Sequence, residues 1–320
     1  MLTFSLIIPV KPGGTTKALY ALMQLKGQVY PYEILIAEGT SPSRQRNLAA
    51  EQARGDILYF LDDDSCVVPD CMTQCAQAFG DLSVAVVGGP SLTPDSDSRL
   101  QHIFAYALTT SFGSGAMRNR YRAAGRSRIT TERELILCNM AIRRDLFLAA
   151  GGFDERLYPN EENELLDRII SLGHNLVHVP SMAVMRSQRT TLAAFVRQMF
   201  SYGRGRAQQT IIARSCSFMS FMPLILLIYV ALLPLLPANM LWKLPLVSYI
   251  ALDIVFTIVT LLKTGRPETL FLFGLYPLMH CANGAGLLYG FVKGKPVAKT
   301  GSGVTIRRVR EFEQPTDTVP

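Results

Sequence analysis

Three consecutive aspartates, Asp62, Asp63 and Asp64, close the apolar run Tyr59-Phe60-Leu61 and are followed by Ser65. Carboxylates crowded this way repel one another unless a cation or a hydrogen-bond donor sits among them. Mg²⁺ and Mn²⁺ favour oxygen ligands, and Mg²⁺ commonly binds through one or two carboxylates plus substrate phosphates. A cation held there would neutralise charge building on a leaving diphosphate; the plainer alternative is a solvated turn. A second acidic group, Glu161-Glu162-Asn163-Glu164-Leu165, follows Gly151-Gly152-Phe153-Asp154-Glu155. Carboxylates at a helix start are favoured by the helix dipole. Capping by Asn160 with a glutamate-rich first turn therefore competes with a catalytic role, although Asn163 stands where a capping box would carry Glu or Gln. A third group, Arg197-Gln198-Met199-Phe200-Ser201-Tyr202-Gly203-Arg204-Gly205-Arg206, is basic and aromatic and precedes a long apolar run. It reads equally as a juxtamembrane helix facing anionic lipid and as a substrate contact.

Short strands must carry these residues. Apolar runs at 4–10, 33–37, 56–61 and 83–88 alternate with helical stretches at about 16–27, 44–54 and 70–79. That alternation predicts an α/β sheet with parallel strands, whose ligands sit beyond the carboxyl ends. Lys11, Glu38 and Asp62–Asp64 then share one rim. Residues 91–134 lack strong pattern, hold Arg118, Arg120, Arg122, Arg126 and Arg128, and read as a long loop, either functional or simply solvated. A further strand is expected over 134–142, with helices over 143–150, after Asn160 to about Leu172, and after Thr190 or Thr191. The N-terminus has no basic leader and reads as a first buried strand, which places the N-terminal domain in the cytosol.

The last third differs. Of the runs Phe218–Pro237, Leu246–Leu262 (apolar but for Asp253) and Leu270–Val292 (apolar with one His), the first and third reach the roughly 20 residues that a membrane span needs, and the second is marginal. Basic residues flank them, and three full crossings would place the basic tail (Lys293 to Arg310) outside, against the positive-inside rule. Pro277, Gly284, Gly286 and Gly290 mark the third run as the one that is re-entrant or interfacial. The expected division is 1–210 for the catalytic domain, 211–295 for the membrane region and 296–320 for a basic, then acidic and Pro-containing, tail. The chain has 320 residues, a formal net charge of +7 and six cysteines without a CxxC pair. The positive charge gathers beside apolar runs, which favours a membrane surface or a phosphorylated substrate over nucleic acid. The cysteines read as reduced, partly buried cytosolic thiols.

In this order the three groups resemble family 2 glycosyltransferases of the GT-A fold, over residues 4 to about 206. Ile8-Pro9-Val10 is similar to the family's first-strand motif; Arg46-Asn47, Ala53, Gly55-Asp56 and Phe60-Leu61-Asp62-Asp63-Asp64 match its RN…A.GD…FLDxD pattern; Glu161-Glu162-Asn163-Glu164-Leu165 resembles its EDxEL motif. The resemblance implies a Rossmann-like, mostly parallel GT-A domain followed by transmembrane helices, as in bacterial succinoglycan-type exopolysaccharide transferases. It implies a nucleotide-sugar donor approached by Pro9, Lys11, Glu38, Arg46, Asp62 and Asp63, and a Mg²⁺ or Mn²⁺ ion on Asp64 and Asp62. Glu162 maps to the general base, and Glu161, Gln198, Tyr202 and Arg204 to the acceptor side. The acceptor is expected to be a polyprenyl-linked lipid and the location the bacterial inner membrane, multi-pass, with the catalytic domain in the cytoplasm. Three departures stand out. The mapped base is Glu162, one methylene longer than the family's Asp. Ala37-Glu38-Gly39-Thr40-Ser41 replaces the usual VDDGS, so that Glu38 takes the place of an Asp. The QxxRW motif is not intact, which argues against a processive polymer synthase. Outside this class, a membrane nucleotidyltransferase with Lys11-Pro12-Gly13-Gly14 as phosphate loop and an inactive scaffold are the competing expectations.

Overall fold

The computed structural model describes residues 1–25, 27–214, 217–237, 239–298 and 303–312. Cys216, Lys299 and the acidic, Pro-containing end lie outside the described residues. The strands are β1 (Phe4–Val10), β2 (Tyr32–Glu38), β3 (Ile57–Leu61), β4 (Cys66–Val67), β5 (Val84–Gly88), β6 (Ser91–Leu92), β7 (Arg128–Thr130), β8 (Asn139–Arg143), β9 (Asn175–His178), β10 (Val184–Met185) and β11 (Thr305–Arg310). The helices are α1 (Lys17–Met23), α2 (Pro42–Gln52), α3 (Cys71–Ala78), α4 (Arg99–Thr109), α5 (Ser111–Ser114), α6 (Arg144–Ala149), α7 (Glu161–Ser171), α8 (Leu192–Ala213), α9 (Met222–Leu232), α10 (Met240–Thr264) and α11 (Leu272–Lys293).

The chain forms two compact units. The first comprises Met1–Pro94, Asn119–Ser187 and Val297–Pro320; the second comprises Asp95–Arg118 and Gln188–Pro296. The first is built on an eight-stranded sheet of order β11-β2-β1-β3-β8-β5-β9-β7. Its strands are apolar on both faces, so helices must cover both. Phe4, Leu6 and Ile8 face α1 and α3 through Ala18, Leu22, Cys71 and Cys75. Ile7, Leu58 and Phe60 face α2, α6 and α7 through Ala49, Phe147 and Leu165. The sheet is mixed where a mostly parallel one was expected. β2, β1 and β3 run parallel, as do β5 and β9, but β8 is antiparallel to both β3 and β5. The reason is the path of the chain after Gly88. It leaves and re-enters the sheet at the same edge, with Met140 opposite Gly88, so no crossover helix reverses it.

β11 was not foreseen. It pairs antiparallel with β2, Thr305 opposite Glu38, and covers that edge of the sheet. Arg308 reaches the buried Glu33 at 2.7 Å, and Arg310 lies over the ring of Tyr32. Thr305-Ile-Arg-Arg-Val-Arg310 shows no apolar alternation in sequence, and its partner strand is some 270 positions away.

In the second unit, the expected loop at 91–134 contains α4. Ser98 and Gln101 form a complete capping box, and Phe104 stacks on Phe195 with ring centroids 4.3 Å apart. The Arg, Ser and Gly content flanking this helix obscured its apolar face. Thr191 caps α8 by accepting from the Ala194 amide. α8 and α11 run side by side through small residues. A methyl group at Gly203 would stand 2.0 Å from the Asn283 carbonyl oxygen, and one at Gly286 would stand 2.0 Å from that of Phe200. The glycines of α11 therefore let two backbones approach closely, and the helix continues through Pro277. His280 is satisfied by Tyr249 at 2.8 Å and by the Phe112 carbonyl at 3.0 Å. Among the described residues, Phe218–Leu235, Met240–Thr264 and Pro267–Lys293 are each long and apolar enough to cross a membrane.

Candidate active site

Parallel register decides where the acidic turn points. Val10 lies opposite Glu38 and Ile7 opposite Phe60, so β1, β2 and β3 end at one edge, where Lys11, Glu38 and Asp62 follow. Pro9 is buried within β1, Lys11 is exposed beyond it, and Glu38 accepts from the Gly13 amide at 3.2 Å. That bond occupies one amide of the glycine pair once weighed as a phosphate loop. Arg307 of β11 stands 3.9 Å from the other oxygen of Glu38.

Arg46 joins the two acidic groups. Its side chain is 4% exposed on α2; it donates to Asp62 Oδ1 at 2.7 Å and to Glu161 Oε1 at 3.2 Å. The start of α7 is thus held against the end of β3, although 99 positions separate Asp62 from Glu161. Two clamps fix that placement. Asn47, next to Arg46, donates to the Phe153 carbonyl and accepts from the Phe153 amide, both at 2.9 Å. Arg168 donates to the Gly152 carbonyl at 2.7 Å and to Glu164 at 2.8 and 2.9 Å. Gly152 has φ +68°, and a side-chain carbon there would meet Asn47 Oδ1 at 2.7 Å, so the turn needs glycine on both counts.

The α7 glutamates consequently divide their roles. Glu164 is a structural partner of Arg168 at i,i+4. Glu161 is buried against Arg46; burial and the neighbouring Glu162 push its carboxyl well above the usual range, to about 8. Glu162 lies 3.4 Å from Arg120, whose guanidinium also bonds Asn163 and the carbonyls of Glu132 and Arg133. Asn160 precedes the helix in the left-handed region (φ 86°), and its side chain makes no cap. The expected Asn160 side-chain cap is thus absent, while Glu161, Glu162 and Glu164 all lie in the first turn.

Arg186 was missed by sequence reasoning. Its Nε donates to Asp64 Oδ1 at 2.6 Å, and its terminal nitrogen lies 3.1 Å from Asp62 Oδ2. A three-stranded sheet, β4-β10-β6, explains the contact. It sets Met185 opposite Cys66, so the residue after β10 falls beside the residues before β4. Buried Asn139 supports the arrangement, accepting from Tyr59 at 2.7 Å and donating to the Met182 carbonyl at 2.6 Å. Neither Arg120 nor Arg186 lies in a recognisable motif; Arg120 alone was part of a noted cluster.

Burial and the charges of Asp64 and Asp62 raise the carboxyl of Asp63, and its carbonyl accepts from the Ala18 amide at 3.0 Å. Among the described residues, no group of three or more His, Cys, Asp or Glu side chains is gathered as a ready-made metal cage. The donors present are hard carboxylate oxygens, with the Asp64 side chain 39% exposed. They fit a Mg²⁺ or Mn²⁺ ion that completes its shell with phosphate oxygens and water. Gln198, Tyr202 and Arg204 lie on α8 in the second unit, where Gln198 donates to the Tyr202 hydroxyl at 2.7 Å and Gly203 serves the helix seam.

Comparisons with known proteins agree with this architecture. Residues 57–293 match the family "Glycosyl transferase family group 2". The chain is 28% identical over 174 residues to the succinoglycan biosynthesis protein ExoA of Rhizobium meliloti (strain 1021), covering 52% of this chain and 49% of that protein. The chain thus spans about half the length of the curated relative it matches. Among solved structures it resembles mannosyltransferase PcManGT from Pyrobaculum calidifontis, solved in complex with GDP-Man and Mn²⁺. The TM-score is 0.52 at 16% identity, covering 91% of this chain and 87% of that one, a likeness of fold. By the family match over most of its length, and with a GT-A sheet presenting its acidic turn and glutamate helix at one edge, the chain belongs to glycosyl transferase family group 2.

Proposed function

We propose that this chain is an inverting, metal-dependent transferase that moves a sugar from a nucleotide-sugar donor to a lipid-linked, polyprenyl-type acceptor in bacterial exopolysaccharide or cell-envelope glycan synthesis. The observation that carries the reading is Arg46, which ties the aspartate turn of β3 to the glutamates of α7 through a single buried guanidinium. Glu162, beside Glu161, takes the proton from the attacking acceptor hydroxyl, a step typically worth roughly 10²–10⁴-fold. One in-line displacement at the anomeric carbon inverts its configuration. A divalent cation held by Asp64 and Asp62 would neutralise the charge that builds on the departing diphosphate. In this reading Pro9, Lys11, Glu38, Arg46 and Asp63 are assigned to the donor and Glu161 to the acceptor, and Gln198, Tyr202 and Arg204 of α8 are assigned to the acceptor by the resemblance alone. The relatives named above support the donor class and the metal, since one is described with GDP-Man and Mn²⁺ and another by succinoglycan biosynthesis.

The test uses membranes containing the chain, incubated with UDP-, GDP- and dTDP-sugars and Mn²⁺ or Mg²⁺. One of them should release its nucleoside diphosphate, EDTA should stop the release, and excess Mn²⁺ should restore it. Release of pyrophosphate in place of nucleoside diphosphate would overturn the assignment.

The same reading places the protein in the inner membrane with its catalytic domain in the cytoplasm. β11 follows all three apolar helices and pairs with β2, which supports placing both on one side, with an even number of crossings. α9 and α10 make the hairpin, with Lys263 and Arg266 returning to the cytoplasmic side. α11 stays with α8, whose Arg197, Arg204 and Arg206 do not suit hydrocarbon. A fluorescent protein fused after residue 320 should therefore fluoresce, and alkaline phosphatase fused there should be inactive; the reverse pattern would restore three crossings.

A further inference from the structure

Asp64 is the most exposed of the candidate metal ligands, and Arg186 already holds its Oδ1 at 2.6 Å. The same guanidinium lies 3.1 Å from Asp62 Oδ2, while Arg46 holds Asp62 Oδ1 at 2.7 Å. Asp62 and Asp64 are thus neutralised by two cations of the chain itself. A divalent ion brought alone to Asp64 would lie within a few ångströms of the Arg186 fork, and like charges that close repel strongly away from bulk water. Arg46 is poorly placed to yield, being 4% exposed and committed also to Glu161. Arg186 is 21% exposed and follows a two-residue strand, so it is the counter-ion able to move. A diphosphate would supply the missing negative charge, and its oxygens suit a guanidinium fork.

We propose that Arg186 is an internal counter-cation that competes with the divalent metal for Asp64, so that the metal enters together with the nucleoside diphosphate and not ahead of it, as the guanidinium passes from Asp64 to the diphosphate. This rests on the metal-dependent reading above. Arg186 is then a positioning residue that orders metal and donor binding.

The test is Mn²⁺ binding to the detergent-solubilised chain, followed by electron paramagnetic resonance, alone and with UDP, GDP or dTDP. Wild type should bind Mn²⁺ weakly alone and about tenfold or more tightly with one nucleotide, within the usual range of coupling between sites. R186Q should bind Mn²⁺ alone about tenfold more tightly than wild type and gain less from the nucleotide, with R186K between the two. An arginine that merely braced the fold would give variants that bind Mn²⁺ no better than wild type. The inference is overturned if R186Q binds Mn²⁺ no more tightly than wild type. It is overturned equally if wild type binds Mn²⁺ as tightly alone as with nucleotide, a measurement that needs no variant. D64N separates the two levels. If it abolishes binding while R186Q gains nothing, only the counter-cation role falls; if it leaves Mn²⁺ binding intact throughout, the metal-dependent reading falls and this inference with it.

Discussion

Glu162→Gln is expected to lower turnover roughly 10²–10⁴-fold while leaving the donor KM near its wild-type value. Glutamine keeps the length and shape of the side chain and can still accept from Arg120, which lies 3.4 Å from Oε1. What it loses is the ability to take a proton, and that matters only as the acceptor hydroxyl attacks. An interaction used only in the transition state lowers kcat and kcat/KM together. Glu161→Gln is the control, since Glu161 faces Arg46 and its loss should register in donor binding and stability. Steady-state kinetics with saturating acceptor decides the matter. If E162Q turns over within a few-fold of wild type and E161Q does not, the base has been assigned to the wrong glutamate.

Arg46→Ala is expected to cost roughly 3 kcal/mol of stability, because it leaves the buried Glu161 carboxyl without its donor, about 1–3 kcal/mol, and Asp62 without a counter-charge. The guanidinium is 4% exposed and the Glu161 side chain 3%, so solvent can do little to replace the lost donor. Asp62, at 23%, is better placed to recover water. For a domain of about 150–250 residues that loss corresponds to a melting point lower by roughly 10 °C. Arg46→Lys keeps a cation but cannot fork between two carboxylates, so it should recover only part of the difference. Thermal melts of the purified chain in detergent measure this; an R46A midpoint within about 2 °C of wild type would mean that the two acidic groups are held together by something else.

Much of the first unit was legible because its evidence is local. The apolar runs of β1, β2, β3 and β5, the helices after them and the Gly151-Gly152 turn all announce themselves within a dozen residues. The resemblance to family 2 glycosyltransferases rested on Arg46-Asn47, the aspartate turn and the Glu161–Leu165 motif, and the family match agrees with it. Less legible were the features whose partners lie far along the chain. Glu161 and Glu164 look alike in sequence, yet one faces Arg46 and the other Arg168, because only the packed start of α7 gives each a different neighbour. Gly286 and Gly290 read as marks of a re-entrant or interfacial run for the same reason, since their partner is α8, more than 80 positions earlier.

The sequence by itself determined the chemistry available: carboxylates at a strand end, glutamates at a helix start, and three apolar stretches of membrane length. Tertiary structure alone decided how those charges are balanced. A guanidinium neutralises whichever carboxylate the fold brings within about 3 Å, and that distance is set by strand register and helix packing. Arg186 reaches Asp64 across 122 positions because β10 pairs with β4, and β11 returns to β2 because that edge is open to pairing. Neither contact leaves a trace in the spacing of residues along the chain.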